Sequence, residues 1–194
     1  MNYGKRNFRK RKFGNVKSGE RMYVVRGNVI GDCWKFERAY AQISGEYIHK
    51  MFACGEGKVV RHLCMNNYCV NPLHLVKGTD IENARDEVVV RDFTLKLLED
   101  MTEDYSLRDL NERNDVKFYV MVARATLKLR PMYGFKNIGE TIKYARDRYR
   151  MYFVDSIKDK IGSEEMSERL IKANKLLQLV SERGIEIVEI MEGL

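Results

Sequence analysis

The chain has 194 residues, a hydrophobic fraction of 44% and a formal net charge of +7, with a pI near 9.2. That apolar content supports a packed core and excludes global disorder. No run approaches the roughly 20 apolar residues that span a bilayer, and no apolar segment follows the basic start, so neither a membrane partner nor a secretory signal is expected.

The charge is unevenly spread. Residues 1–26 carry nine Lys/Arg against the single acid Glu20, and the rest of the chain is close to neutral. Lys5, Arg6, Arg9, Lys10, Arg11 and Lys12, interleaved with Phe8 and Phe13, read as a flexible arm over residues 1–21 that binds nucleic acid. The expected setting is the cytoplasm, where the four cysteines are free or metal-bound rather than disulfide-bonded.

In chain order, Met22-Tyr-Val-Val-Arg26 reads as a strand, Gly27-Asn28 as a turn, and Val29–Phe36 as the returning hairpin partner. Ala39–Phe52 places Tyr40, Ile43, Tyr47 and Met51 or Phe52 near one stripe and predicts a helix, weakened at Gly45. Gly55-Glu-Gly57 is a turn, and Lys58–His62 is a short strand ending on a histidine. The segment from Cys64 to His74 has no helix or strand pattern, and Pro72 pushes Asn71 towards an extended backbone. Thr79 or Asp80 caps a helix with Ile81, Ala84 and Val88 on its buried side.

From Asp92 the pattern is almost wholly helical. Phe93–Met101 gives one helix, Ser106 caps a short second through Leu107 and Leu110, and Asn114-Asp115 is a turn. Val116, Val120, Ala123 and Leu127 recur at helical spacing in a third. This arrangement over about 93–129 is compatible with a helix-turn-helix and equally with a plain bundle. Two long helices follow, about Ile138–Lys160 and Ser163–Arg183, and Ile185–Ile190 is ambiguous between strand and helix. The organisation is therefore an arm (1–21), a core unit (22–91) and a helical region (92–194), whose last helices offer a surface for a homodimer.

Cys64-x4-Cys69-x4-His74 supplies three soft ligands at short spacing, which suits a tetrahedral structural zinc. The fourth comes from elsewhere: Cys33 on the preceding hairpin is preferred, with Cys54 as the alternative. His62 is too close to Cys64 to join the same ion comfortably, and an imidazole with an ordinary pKa near 6.5 is suited to taking a proton from water. Asn83 offers a neutral oxygen, acceptable to Mg²⁺ but poor for Zn²⁺.

Together, His62-Leu-Cys-x4-Cys-x-Asn-Pro-x-His-Leu and the following Gly-Thr-x3-Asn83 resemble the zinc-bound branch of the HNH endonucleases. The likeness is greatest to the His-Cys-box homing endonucleases of the His-Me finger (ββα-metal) superfamily. It covers about Asp32–Asp86. It implies an α+β fold: a small zinc-stabilised ββα-metal nuclease core with an all-helical C-terminal extension. It further implies His62 as general base, Asn83 as ligand of the catalytic Mg²⁺, and Cys33, Cys64, Cys69 and His74 on structural Zn²⁺. Asn71 would organise the loop, and Cys54 has no role in the pattern. Many HNH enzymes carry a second metal ligand just before the base. Here that residue is Arg61, expected instead to contact phosphate. The implied activity is Mg²⁺-dependent hydrolysis of double-stranded DNA in a homing-type enzyme; the alternative is a nuclease-dead DNA-binding regulator that keeps the zinc scaffold, against which the retention of both His62 and Asn83 argues.

Overall fold

The computed structural model describes residues 15–27, 29, 31–38, 40–108, 115–160 and 162–191, with the side chains of 154–160 excepted. Lys5, Arg6, Arg9, Lys10, Arg11 and Lys12 of the expected arm lie outside the described residues. The architecture is α+β, with small sheets and long helices.

β1 (Arg21–Val25) and β2 (Cys33–Phe36) pair antiparallel, Val25 opposite Cys33 and Met22 opposite Phe36. The hairpin foreseen around Gly27 is therefore present. Trp34 is fully buried, and its indole N–H donates to the Val29 carbonyl at 2.7 Å, which satisfies its polar edge inside the core.

The helix expected over Ala39–Phe52 is not formed. β3 (Gln42–Ile43) and β4 (Glu46–Tyr47) make a two-residue hairpin, and only Ile48–Phe52 is helical, as α1. Ser44 and Gly45 both take positive φ, 55° and 87°. That is the geometry of the tight turn whose twist matches a hairpin, and it decides against a continuous helix.

β5 (Val59–His62) pairs antiparallel with β6 (Leu75–Gly78), His62 opposite Leu75. α2 (Asp80–Thr102) follows at once. Thr79 and Glu82 form a reciprocal capping box, with the Thr79 hydroxyl accepting from the Glu82 N–H at 3.2 Å and Glu82 accepting from the Thr79 N–H at 2.7 Å. Ile81 and Ala84 are exposed, contrary to the expected buried side, because the helix meets the core only further along, through Val90, Thr94, Leu95 and Leu98. The helix runs unbroken through Asp92.

A 3-10 turn at Tyr105–Arg108 contains Ser106 instead of being capped by it, while Leu110 and Asn114 lie outside the described residues. In α3 (Asp115–Tyr133) the buried face is Phe118, Val122, Ala125 and Leu129. The other apolar stripe faces out, with Val116 72%, Val120 58% and Leu127 69% exposed. Both stripes have helical spacing, so periodicity alone selected the wrong one. α4 (Ile138–Lys160) and α5 (Ser163–Glu182) match the two expected long helices. The ambiguous tail is a strand, β7 (Glu186–Ile190), parallel to β1 and completing the sheet order β2-β1-β7.

Among the described residues, three apolar clusters fill the interior. One joins the three-stranded sheet to α1 and α5 through Trp34, Ile48, Leu176 and Val180. One surrounds the cysteines with Leu73, Val90, Tyr149 and Phe153. The third packs α2, α3 and α4 together. No described helix is long and apolar enough to cross a membrane.

Candidate metal centre and adjoining histidine

The loop between β5 and β6 is built from short backbone closures. Met65 N–H donates to the His62 carbonyl at 2.8 Å, Cys69 to Asn66 at 2.9 Å, and His74 to Asn71 at 2.9 Å. Asn71 caps the 3-10 turn Pro72–His74 by accepting from the Leu73 N–H at 3.0 Å. Its amide also donates to the Asp32 carbonyl at 2.7 Å, while Val70 N–H donates to the Trp34 carbonyl at 2.9 Å. These last two bonds reach β2 on either side of Cys33, and so they seat Cys33 against the loop.

The ligand atoms of Cys33, Cys64, Cys69 and His74 all lie within 4.8 Å of one another, and all four residues are buried. Cys33 and Cys69 sulfurs lie 3.5 and 3.4 Å from His74 Nδ1. His74 Nε2 donates to the Gly31 carbonyl at 2.7 Å, which fixes the ring and leaves Nδ1 facing the sulfurs. Such a Cys3His set can bind a metal such as zinc. Of the two candidates for the fourth ligand, Cys33 joins the cluster. Cys54 is buried elsewhere, beside Val76, and burial pushes its thiol above the ordinary value.

The cluster sets an acidified thiol beside a more basic imidazole. Hydrogen bonds from Cys64 and Cys69 hold the Cys33 thiol well below its ordinary value, whereas burial pushes Cys64 and Cys69 up. Burial alone would lower His74, but the adjacent Cys69 and Cys33 raise it to about 10. A divalent cation in the middle would displace these protons and leave thiolates and a neutral imidazole.

His62 ends β5, directly before the loop. Burial, and then the neighbouring His49, lower its pKa to about 4, so its imidazole is neutral at pH 7. Its Nε2 is buried with no hydrogen-bond partner among the described residues. The ring lies 5.7 Å from that of His49, which in turn packs against Tyr40 and Tyr47 at 6.0 and 5.5 Å. His49 carries no motif spacing in the sequence. It meets His62 because α1 packs beside β5, and no local signal foretells that.

Asn83 is exposed on the first turn of α2, its N–H donating to the Thr79 carbonyl at 3.0 Å. Arg61 reaches the same stretch of helix. It grips Asp86 through two parallel bonds of 2.8 Å and lies 3.3 Å from Glu82, with its side chain 17% exposed. Arg61 therefore ties β5 to α2 by its own carboxylate partners. Gly78 is required alongside, since a Cβ there would come within 2.7 Å of the Arg61 side chain.

Arg169 on α5 was not signalled by the sequence. It is 2% exposed, donates to the Leu73 carbonyl at 2.9 Å and pairs with Glu165, fastening α5 to the metal loop. No family model, curated protein or solved structure matches this chain.

Proposed function

We propose that the chain is a DNA endonuclease that hydrolyses phosphodiester bonds with His62 as general base, in the manner of the zinc-pinned HNH enzymes it resembles. The observation that carries this reading is the buried Nε2 of His62, without a hydrogen-bond partner among the described residues and held where the strand enters the Cys3His loop. A neutral imidazole nitrogen with no internal partner is in the form that accepts a proton from water.

Asn83 is the residue that would hold a catalytic Mg²⁺. It fits, because its oxygen is exposed while the nearby Asp86 and Glu82 are engaged with Arg61. With one protein ligand, such an ion would keep the waters and phosphate oxygens that Mg²⁺ prefers. Bound there, the ion contributes charge stabilisation at the phosphate and the departing 3′ oxygen. The basic arm supplies salt-dependent affinity for double-stranded DNA. The hairpin β5-β6 followed by α2 has the element order expected of a ββα-metal core.

The competing reading is a zinc-scaffolded DNA-binding protein without activity, favoured by the close packing of His62 on His49. Plasmid is incubated with Mg²⁺ and either the parent or His62→Ala, zinc content being checked in both. The proposal expects cleavage by the parent and a loss of at least about a hundredfold in the variant. Binding without cleavage by the parent favours the scaffold, and equal cutting by both removes His62 from the mechanism.

A further inference from the structure

A second polar site lies on the other flank of the metal loop. A cleft of about 290 Å³ separates residues 64–68 of the loop from the first half of α4. Asn66, Tyr68, Lys143, Arg146 and Arg150 line it, together with one carboxylate, Asp147. Asp147 pairs with Arg150 at 2.9 Å, and Arg146 lies 3.2 Å from Glu87, outside the lining. Lys143 is exposed at the rim.

Asn66 is the informative residue. It is 7% exposed, and its Oδ1 accepts from the Tyr68 N–H at 3.2 Å, which fixes which way round the amide lies. That orientation leaves Nδ2 as a buried donor with no partner among the described residues. A buried N–H without an acceptor is costly, and the cations Lys143, Arg146 and Arg150 outnumber the one carboxylate in the cleft lining, which favours an anionic acceptor. The first turn of α4, with Gly139 in the lining, adds the positive end of a helix.

We propose that this cleft binds a phosphate group, with Asn66 Nδ2 as the fixed donor and Lys143 and Arg146 as the neutralising charges. Its source is the backbone of duplex DNA, an identification that rests on the proposed function, or else a free phosphate. The same chemistry recognises both.

The test uses the full chain carrying His62→Ala, without Mg²⁺, so that nothing is cut. Binding of a labelled duplex is measured against salt, and binding of inorganic phosphate by calorimetry. Asn66→Asp keeps the acceptor for Tyr68 but replaces the donor with an anionic oxygen. It should weaken duplex binding about tenfold or more. Lys143→Gln, at an exposed position that does not threaten folding, should reduce the salt slope by about 0.9. Both effects, observed with parental zinc content in each variant, identify DNA backbone as the ligand. Inorganic phosphate binding that is abolished by Asn66→Asp, with no duplex binding by the parent, supports the site with a free phosphate and removes the DNA reading. Parental affinity and slope in both variants, with no phosphate binding, overturns the inference while leaving the cleavage result for His62→Ala to stand by itself.

Discussion

The Asn71 side chain joins two segments 39 residues apart: its amide donates to the Asp32 carbonyl at 2.7 Å while its oxygen accepts from Leu73. Asp32 precedes Cys33 and Leu73 precedes His74, so one buried side chain sets the spacing between two candidate metal ligands. Asn71→Ala removes the donor to the Asp32 carbonyl and the acceptor of the buried Leu73 N–H. Urea unfolding should show a loss of about 2–4 kcal/mol, with zinc held more weakly. An unchanged midpoint would mean that the loop is seated by the cysteines alone.

Metal analysis should find about one zinc per chain, lost in Cys33→Ser and retained in Cys54→Ser, because only Cys33 joins the other ligand atoms. Stripping the ion with a strong chelator should lower the melting temperature by many degrees, since the binding energy of a structural zinc is folding energy. Retention of zinc by Cys33→Ser together with its loss in Cys54→Ser would reverse the assignment.

Arg61 and Asp86 form a planar, two-bond pair that is largely shielded from water, their side chains 17% and 18% exposed. Arg61→Lys keeps the charge but loses the fork. It should cost about 1–2 kcal/mol in thermal or urea unfolding, and a double-mutant cycle with Asp86→Asn should show positive coupling. Full additivity in that cycle would show that the pair contributes nothing beyond its separate residues.

Asp104 accepts from Lys128 and Ser106, and with Arg124 nearby these hold its carboxylate at about 2, below the ordinary 3.8. A folded-state pKa below the unfolded one contributes stability above the unfolded value, and that contribution disappears as pH falls towards the folded value. The stability gap between the parent and Asp104→Asn should therefore be full above about pH 4 and close as pH drops towards 2. A gap that is constant with pH would assign the effect to packing instead.

The sequence by itself determined the local chemistry. Cys64, Cys69 and His74 fall within 11 residues, and a loop that short can place all three on one ion whatever surrounds it. The same holds for the capping box at Thr79, whose partners are three residues apart, and for the turn at Gly27 between two β-rich runs. Tertiary structure decided what depends on partners far along the chain. On the sequence Cys33 is preferred over Cys54, but it is the Asn71 and Val70 bonds that bring it to the loop. β7 became a strand only by pairing with β1, 165 residues earlier, which gave its backbone N–H and C=O groups partners that no local helix supplied. The outward stripe of α3 and the mistaken helix over 39–52 share one cause. Apolar periodicity records which residues can share a face, whereas burial depends on which face meets a neighbour, and φ at Ser44 and Gly45 depends on the turn that the surrounding fold selects.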